Sequence, residues 1–217
     1  EIYDGAENDR LRAAALGYLS HLAADTIAHN FFVPRQLLLT SSTQALGHSY
    51  WEYRLDVHIG EPYSRLARSV VMDYDHGEAD ALFDRILSGT IFSFETNRRI
   101  FRGMIQFQDN DRWKGVFDRV VQRSRWDLDD GEVEDYLSRA FDSVVDYLVR
   151  RKTSLPAALD PIGDVNLKMA KRIRRMAMRE EAWRDPRRLR ELADDFFPLP
   201  PEQLGYWTRR GEVEGAA

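Results

Sequence analysis

Apolar residues recur at three- and four-residue steps along most of the chain, and no stretch alternates long enough to predict a strand. Leu11, Ala14, Ala15, Tyr18, Leu19 and Leu22 form the first stripe. It predicts a helix from Arg10, capped by Asn8 or Asp9 and running through His29. Asn30 to Pro34 should end it, because the residue before proline is pushed out of the α conformation. Gly17 falls inside this helix, where glycine costs about 1 kcal/mol against alanine, so close helix packing is expected there. Gln36 to Leu39 is a short helical turn or an extended piece. A second helix, capped by Ser41 or Ser42, runs to about Ile59 and is stopped by Gly60 and Pro62.

Further helices are predicted over Pro62 to Met72 and Glu78 to Leu87, separated by a turn at Asp73 to Gly77. Another starts at Ser93 and carries Phe94, Ile100, Phe101, Met104, Ile105 and Phe107. After an interruption at Asp109 to Asp111, Trp113, Val116, Phe117, Val120 and Val121 continue the spacing. Core packing is the expected use of these aromatics; the alternative is a surface for acyl chains. The clearest pattern is Val133, Tyr136, Leu137, Ala140, Phe141, Val144, Val145 and Leu148, in a helix begun by Asp129 or Asp130. That helix ends in Arg150, Arg151 and Lys152, which suits the negative end of its dipole. Leu155 to Gly163 reads as a connector, Asp164 to Trp183 and Pro186 to Phe196 as helices. Pro198, Pro200 and Pro201 then precede a tail ending in Gly215, Ala216 and Ala217. The expectation is an all-α multi-helix bundle, with a helical domain over residues 1–155 and a C-terminal helical extension over 156–217 packed on it.

Composition narrows the function classes. The 217 residues are 43% hydrophobic and 31% charged, an ordinary globular mixture that can build a core. A net charge of −5 gives no global nucleic-acid footprint. No apolar run approaches the roughly 18 residues of a membrane span. Cysteine is absent, which excludes disulfides and thiolate ligands and leaves histidine and carboxylate for metal chemistry. Lys168 to Arg190 is locally basic. A solvated helix face is the simpler reading; contact with anionic head groups or nucleic acid is the alternative.

Chemistry concentrates between Ser20 and Glu52, which holds three of the five histidines. His21, Asp25 and His29 are spaced by four, as are His48 and Glu52. A four-residue step turns a helical side chain by only about 40°, so each set shares a face. If the two helices pack side by side, five nitrogen and oxygen ligands converge. Imidazole with carboxylate suits zinc or a similar divalent ion, and five ligands exceed the set of one zinc. Either set alone is weak as a signal. Their apolar neighbours and their place on consecutive helices strengthen it, since buried charges are tolerated chiefly when paired or metal-bound. Asp56 continues the second stripe and is expected to orient a ligand or form a salt bridge. His58 and His76 are read as lying outside the site.

The segments GYLSHLAADTIAHNFF and HSYWEYRLD resemble the bacterial zinc-dependent phospholipase C family and, more distantly, the single-strand-specific zinc nucleases. The likeness covers about Ala14 to Asp56. It implies that His21 and Asp25 belong to the deeper part of a trinuclear zinc cluster, with Asp25 bridging. It assigns His29, His48 and Glu52 to a more exposed zinc. It further implies phosphodiester hydrolysis assisted by two or three zinc ions, a phospholipid substrate, peripheral membrane contact and a secreted or periplasmic location.

The chain departs from the family pattern before His21. There the family supplies an N-terminal Trp, two further His and an Asp; here the twenty preceding residues contain neither His nor Trp, and Asp4 and Asp9 lack matching context. The expectation is that a missing N-terminal segment or a partner chain completes the shell, or that the site is reduced. A start at Glu1 rather than Met favours a fragment or processed product. Three functions follow as expectations: a phospholipase C on glycerophospholipids, a zinc nuclease on the same scaffold, and a non-catalytic metal-stabilised binding or assembly module. The general base is not assigned by the sequence.

Overall fold

A computed structural model describes residues 1–40, 47–86, 128–181 and 184–205, and of Ser49, Glu61, Ser64 and Val71 the backbone alone. The architecture is all-α, and no strand occurs among the described residues. The expected cap at Ser41 or Ser42, the aromatic helix from Ser93, its continuation through Val121, Trp183 and the tail lie outside the described residues.

The helices are α1 (Asp9–Ile27), α2 (Val33–Leu39), α3 (Gly47–Ile59), α4 (Glu61–Asp73), α5 (Gly77–Ile86), α6 (Asp130–Arg150), α7 (Asp164–Arg179) and α8 (Pro186–Phe196). The chain divides into two compact units: Glu1–Gly17 with Asp56–Asp127, and Tyr18–Leu55 with Leu128–Ala217. In the first, Arg10 Nη2 donates to the Asp75 carbonyl at 3.0 Å and Arg85 Nη2 to the Gly5 carbonyl at 3.3 Å. Among the described residues, Ile2, Ala6, Ala15 and Leu82 are its buried apolar ones.

The second unit carries the candidate ligands. Helix α2 packs against α7 and α8. Phe32, Val33, Leu37, Leu38, Val133, Tyr136, Ala170, Ile173, Leu189 and Ala193 are buried. The Tyr136 ring meets Phe32 edge-on at 4.7 Å, and burial pushes its phenol well above the ordinary range. Two buried aspartates tie the chain after α6 back to it. Asp142 accepts from the backbone N–H groups of Gln203 and Leu204, and Asp146 accepts from Leu155 N–H and the Arg150 guanidinium. These bonds satisfy carboxylate oxygens that burial has removed from water.

Several boundaries follow sequence rules. Asn8 Oδ1 accepts from Leu11 N–H at 2.9 Å, and Asp129 Oδ1 accepts from Glu132 N–H at 3.1 Å, both as N-caps. Gly60 has φ of +103°, a conformation open mainly to glycine, and stops α3. Helix α7 stops at Arg179, short of Trp183, because Glu181 turns to φ of +56°.

Two expectations are corrected. Pro34 does not end the first helix. Residues Ala28–Phe32 form a π-helical turn in which Val33 N–H donates to the Ala28 carbonyl, and α2 follows directly with Pro34 in its first turn. Val33 keeps helical angles of −61° and −46°. Pro34 cannot donate to the Asn30 carbonyl four residues back; Asn166 Nδ2 donates to that carbonyl instead, at 3.0 Å. Gly17, in turn, marks no close approach: it is exposed, and an added Cβ would meet nothing within 4 Å among the described residues.

Candidate metal centre

His29 sits in the π-helical turn, two residues after α1 ends, and His48 and Glu52 sit one turn apart on α3. Trp51, fully buried beside Glu52, anchors that part of α3. His29 Nε2 lies 3.1 Å from Glu52 Oε1, and His48 Nε2 lies 2.9 Å from the same oxygen. The two imidazole rings meet edge-on with centroids 4.9 Å apart. One ligand atom from each of the three residues lies within 4.8 Å of the others.

His29 is held from its far side as well. Its Nδ1 lies 2.6 Å from the Pro161 carbonyl oxygen, which can only accept, so Nδ1 carries the proton. Nε2 is thereby aimed at the group. The loop providing that carbonyl is itself fixed. Asp160 accepts through Oδ1 from Ile162 N–H and through Oδ2 from Asp164 N–H, while its backbone carbonyl accepts from Asn30 Nδ2 at 2.7 Å. Gly163 presses on the His29 backbone in φ of +64°.

The electrostatics match the contacts. Burial alone would raise the Glu52 carboxyl, but the hydrogen bonds from His29 and His48 outweigh it and hold Glu52 down at about 2. The Glu52 bond raises His29 above its ordinary value, burial opposes, and the Pro161 carbonyl adds to the rise. Glu52 is therefore an anion placed between two nitrogens, which is an acceptor set rather than a proton donor.

His21 and Asp25 are not members of this group. They pair with each other on α1, His21 Nε2 to Asp25 Oδ2 at 3.2 Å, with the His21 side chain 67% exposed. Burial pushes the Asp25 carboxyl up, while His21 and then His29 pull it down. The five residues singled out by spacing thus resolve into a group of three and a pair. The π-helical turn begins one residue before His29 and departs from the 3.6-residue repeat, so a constant four-residue step no longer describes the third position. Asp56 and His58 are exposed. His76 bonds the Val70 carbonyl at 2.8 Å, and its own carbonyl accepts from Asp80 N–H in the first turn of α5.

The donor set fits zinc. Two imidazoles and one carboxylate are three protein ligands, the number used when a fourth position is kept for water or substrate. Residues 1–94 match the family model for zinc dependent phospholipase C. The zinc dependent phospholipase C match contains His29, His48 and Glu52; Pro161 and Gly163, which position His29, lie beyond it. No curated protein matches the chain, and no solved structure does. Among the described residues, no helix is long and apolar enough to cross a membrane.

Pro161 and Gly163 are the contributors that sequence reasoning missed. A signal was present in the Asp-Pro-Ile-Gly-Asp run, whose Gly and Pro mark a shaped turn, but nothing in the sequence tied it to His29.

Proposed function

We propose that the chain is a zinc-dependent hydrolase of phosphodiester bonds, similar to phospholipase C and acting on glycerophospholipids outside the cytoplasm. The observation that carries this reading is the convergence of His29 Nε2 and His48 Nε2 on one oxygen of Glu52, inside the stretch that matches the family model. Zinc, when bound, supplies Lewis acidity toward a phosphate oxygen and lowers the pKa of a water. His29, His48 and Glu52 would hold one ion. Further ions would call on His21 and Asp25, with Asp25 between the two sets.

The chain's own residues have definable tasks in this reading. Pro161 fixes the His29 tautomer so that Nε2 presents its lone pair to the metal. Glu52, held down at about 2 by its hydrogen bonds with His29 and His48, contributes negative charge to the ligand set. Tyr18, raised by burial and by the Asp25 charge, stays a neutral phenol beside the His21–Asp25 pair.

The test is hydrolysis of a short-chain phosphatidylcholine, with release of phosphorylated head group and diacylglycerol, in zinc-loaded wild type and in Glu52→Ala. Turnover in the wild type and its loss in the variant are expected. A nucleotide substrate run alongside separates the zinc nuclease alternative. A second reading is a non-catalytic, metal-stabilised binding or assembly module. It is favoured by the exposure of the His21 side chain, 67%, which lies outside the three-ligand group. Zinc binding with no hydrolysis of either substrate would select it.

A further inference from the structure

Helix α7 lies outside the stretch that matches the family model, yet its leading turn reaches the candidate site. Pro161, whose carbonyl accepts the hydrogen bond from His29 Nδ1–H, is followed by Ile162, and Ile162 is 69% exposed. Along α7 the residues Val165, Lys168, Arg172, Met176 and Arg179 fall at i, i+3, i+7, i+11 and i+14, which is one helical stripe. All five are exposed, and Ala170, Ile173 and Ala177 are buried on the other side. Val165 is 67% and Met176 51% exposed, so apolar side chains stand in water between the cations.

The charge on this helix is one-sided. Lys168, Lys171, Arg172, Arg174, Arg175 and Arg179 are set against one acid, Asp164. Asp164 is engaged by Lys168 at 2.6 Å. Among the described residues, Arg172, Arg175 and Arg179 pair with no carboxylate. A chain with a net charge of −5 thus keeps unneutralised guanidinium groups on one face. Ile162, Val165 and Met176 stand exposed among these cations, an amphipathic mixture that suits a head-group boundary.

From these observations we infer that the exposed face of α7 docks the protein onto an anionic phospholipid surface. The arginines meet head-group phosphates, and Ile162, Val165 and Met176 enter the head-group boundary. Interleaved aliphatic side chains, without an aromatic residue for base stacking, favour lipid over nucleic acid. The inference shares a substrate class with the proposed function but does not need turnover.

The experiment is co-sedimentation of the full chain with sucrose-loaded vesicles of phosphatidylcholine alone and of phosphatidylcholine with phosphatidylglycerol. It is run with chelator and with zinc. Binding to the mixed vesicles only, weakened by salt, is expected under both conditions. Arg172→Gln, Arg175→Gln and Arg179→Gln together should weaken it by about a hundredfold, since each cation near such a surface contributes about fivefold. Val165→Asp with Met176→Asp should also weaken it, with helicity unchanged by circular dichroism. Equal binding to neutral vesicles, or unchanged binding of the triple variant, overturns the inference. So does a stronger preference for a single-stranded oligonucleotide at the same salt. Hydrolysis of a soluble short-chain phospholipid by the same variants reports separately on the catalytic reading, and neither set lies in the metal group.

Discussion

Gly163 and the backbone of His29 are in such close contact that a Cβ atom at position 163 would stand 2.2 Å from the His29 carbonyl oxygen. The loop that bonds the His29 ring also grips its backbone, so the imidazole is fixed at both ends. Gly163→Ala must relieve this clash while adopting a positive φ. We expect a loss on the order of 3 kcal/mol in unfolding free energy, together with weaker zinc binding. Chemical denaturation and zinc titration of the variant check the two effects. Unchanged zinc affinity in the folded variant would show that the loop does not position His29.

Asn166 replaces the hydrogen bond that Pro34 cannot make. Its Nδ2 donates to the Asn30 carbonyl at 3.0 Å and reaches Asn30 Oδ1 at 3.2 Å. Asn166→Ala leaves these acceptors without that donor, which should cost about 1–3 kcal/mol. Urea unfolding measures it. A neutral result would mean that water satisfies the π-helical turn equally well.

This turn also shows where the sequence was legible and where it was not. Local rules narrowed the caps to Asn8 or Asp9 and to Asp129 or Asp130, and found Gly60 and the periodic face of α6, because caps, stops and amphipathic stripes depend on neighbours a few residues away. Pro34 was misread because its helix-breaking tendency is answered by Asn166, which is 132 positions further on. The ligand types were legible at His29, His48 and Glu52, since charged and imidazole groups at helical spacing among apolar neighbours are conspicuous. The His29 partnership with Pro161 was not, because a backbone carbonyl carries no side-chain signature. Gly17 was over-read: a glycine in a helix signals close packing only when tertiary structure puts something against it.

The ion pairs of the metal-free group set a pH window. The Glu52 carboxyl is held down at about 2 against an ordinary 4.5, so its contribution is full above 4.5 and is lost as pH falls toward 2. His29 is raised above its ordinary 6.5, so its contribution is full below 6.5 and is lost as pH rises through the raised value. In chelator, these two groups should therefore stabilise the fold most between pH 4.5 and 6.5. With zinc the alkaline side reverses, because His29 Nε2 must lose its proton to ligate. Thermal unfolding from pH 4 to 9, with chelator and with zinc, should show stabilisation by zinc that grows with pH. A zinc effect independent of pH would remove His29 from the ligand set.

The pair on α1 separates from the group of three in a direct way. His21→Ala should leave the zinc affinity of the His29, His48 and Glu52 group within about threefold. His48→Ala should lower it by more than about a hundredfold, since loss of a direct ligand exceeds the 10–100-fold effect of supporting residues. Competition with a chromogenic chelator reads both. Equal losses in the two variants would show that all five residues act as one cluster.

The most direct measurement of the central claim is zinc content by elemental analysis, on the zinc-reconstituted and desalted chain, for wild type and for His48→Ala with Glu52→Ala. The group of His29, His48 and Glu52 predicts at least one zinc per wild-type chain and a loss of that ion in the double variant, with the fold retained by circular dichroism. A metal-free wild type, or the same zinc content in both proteins, would contradict it.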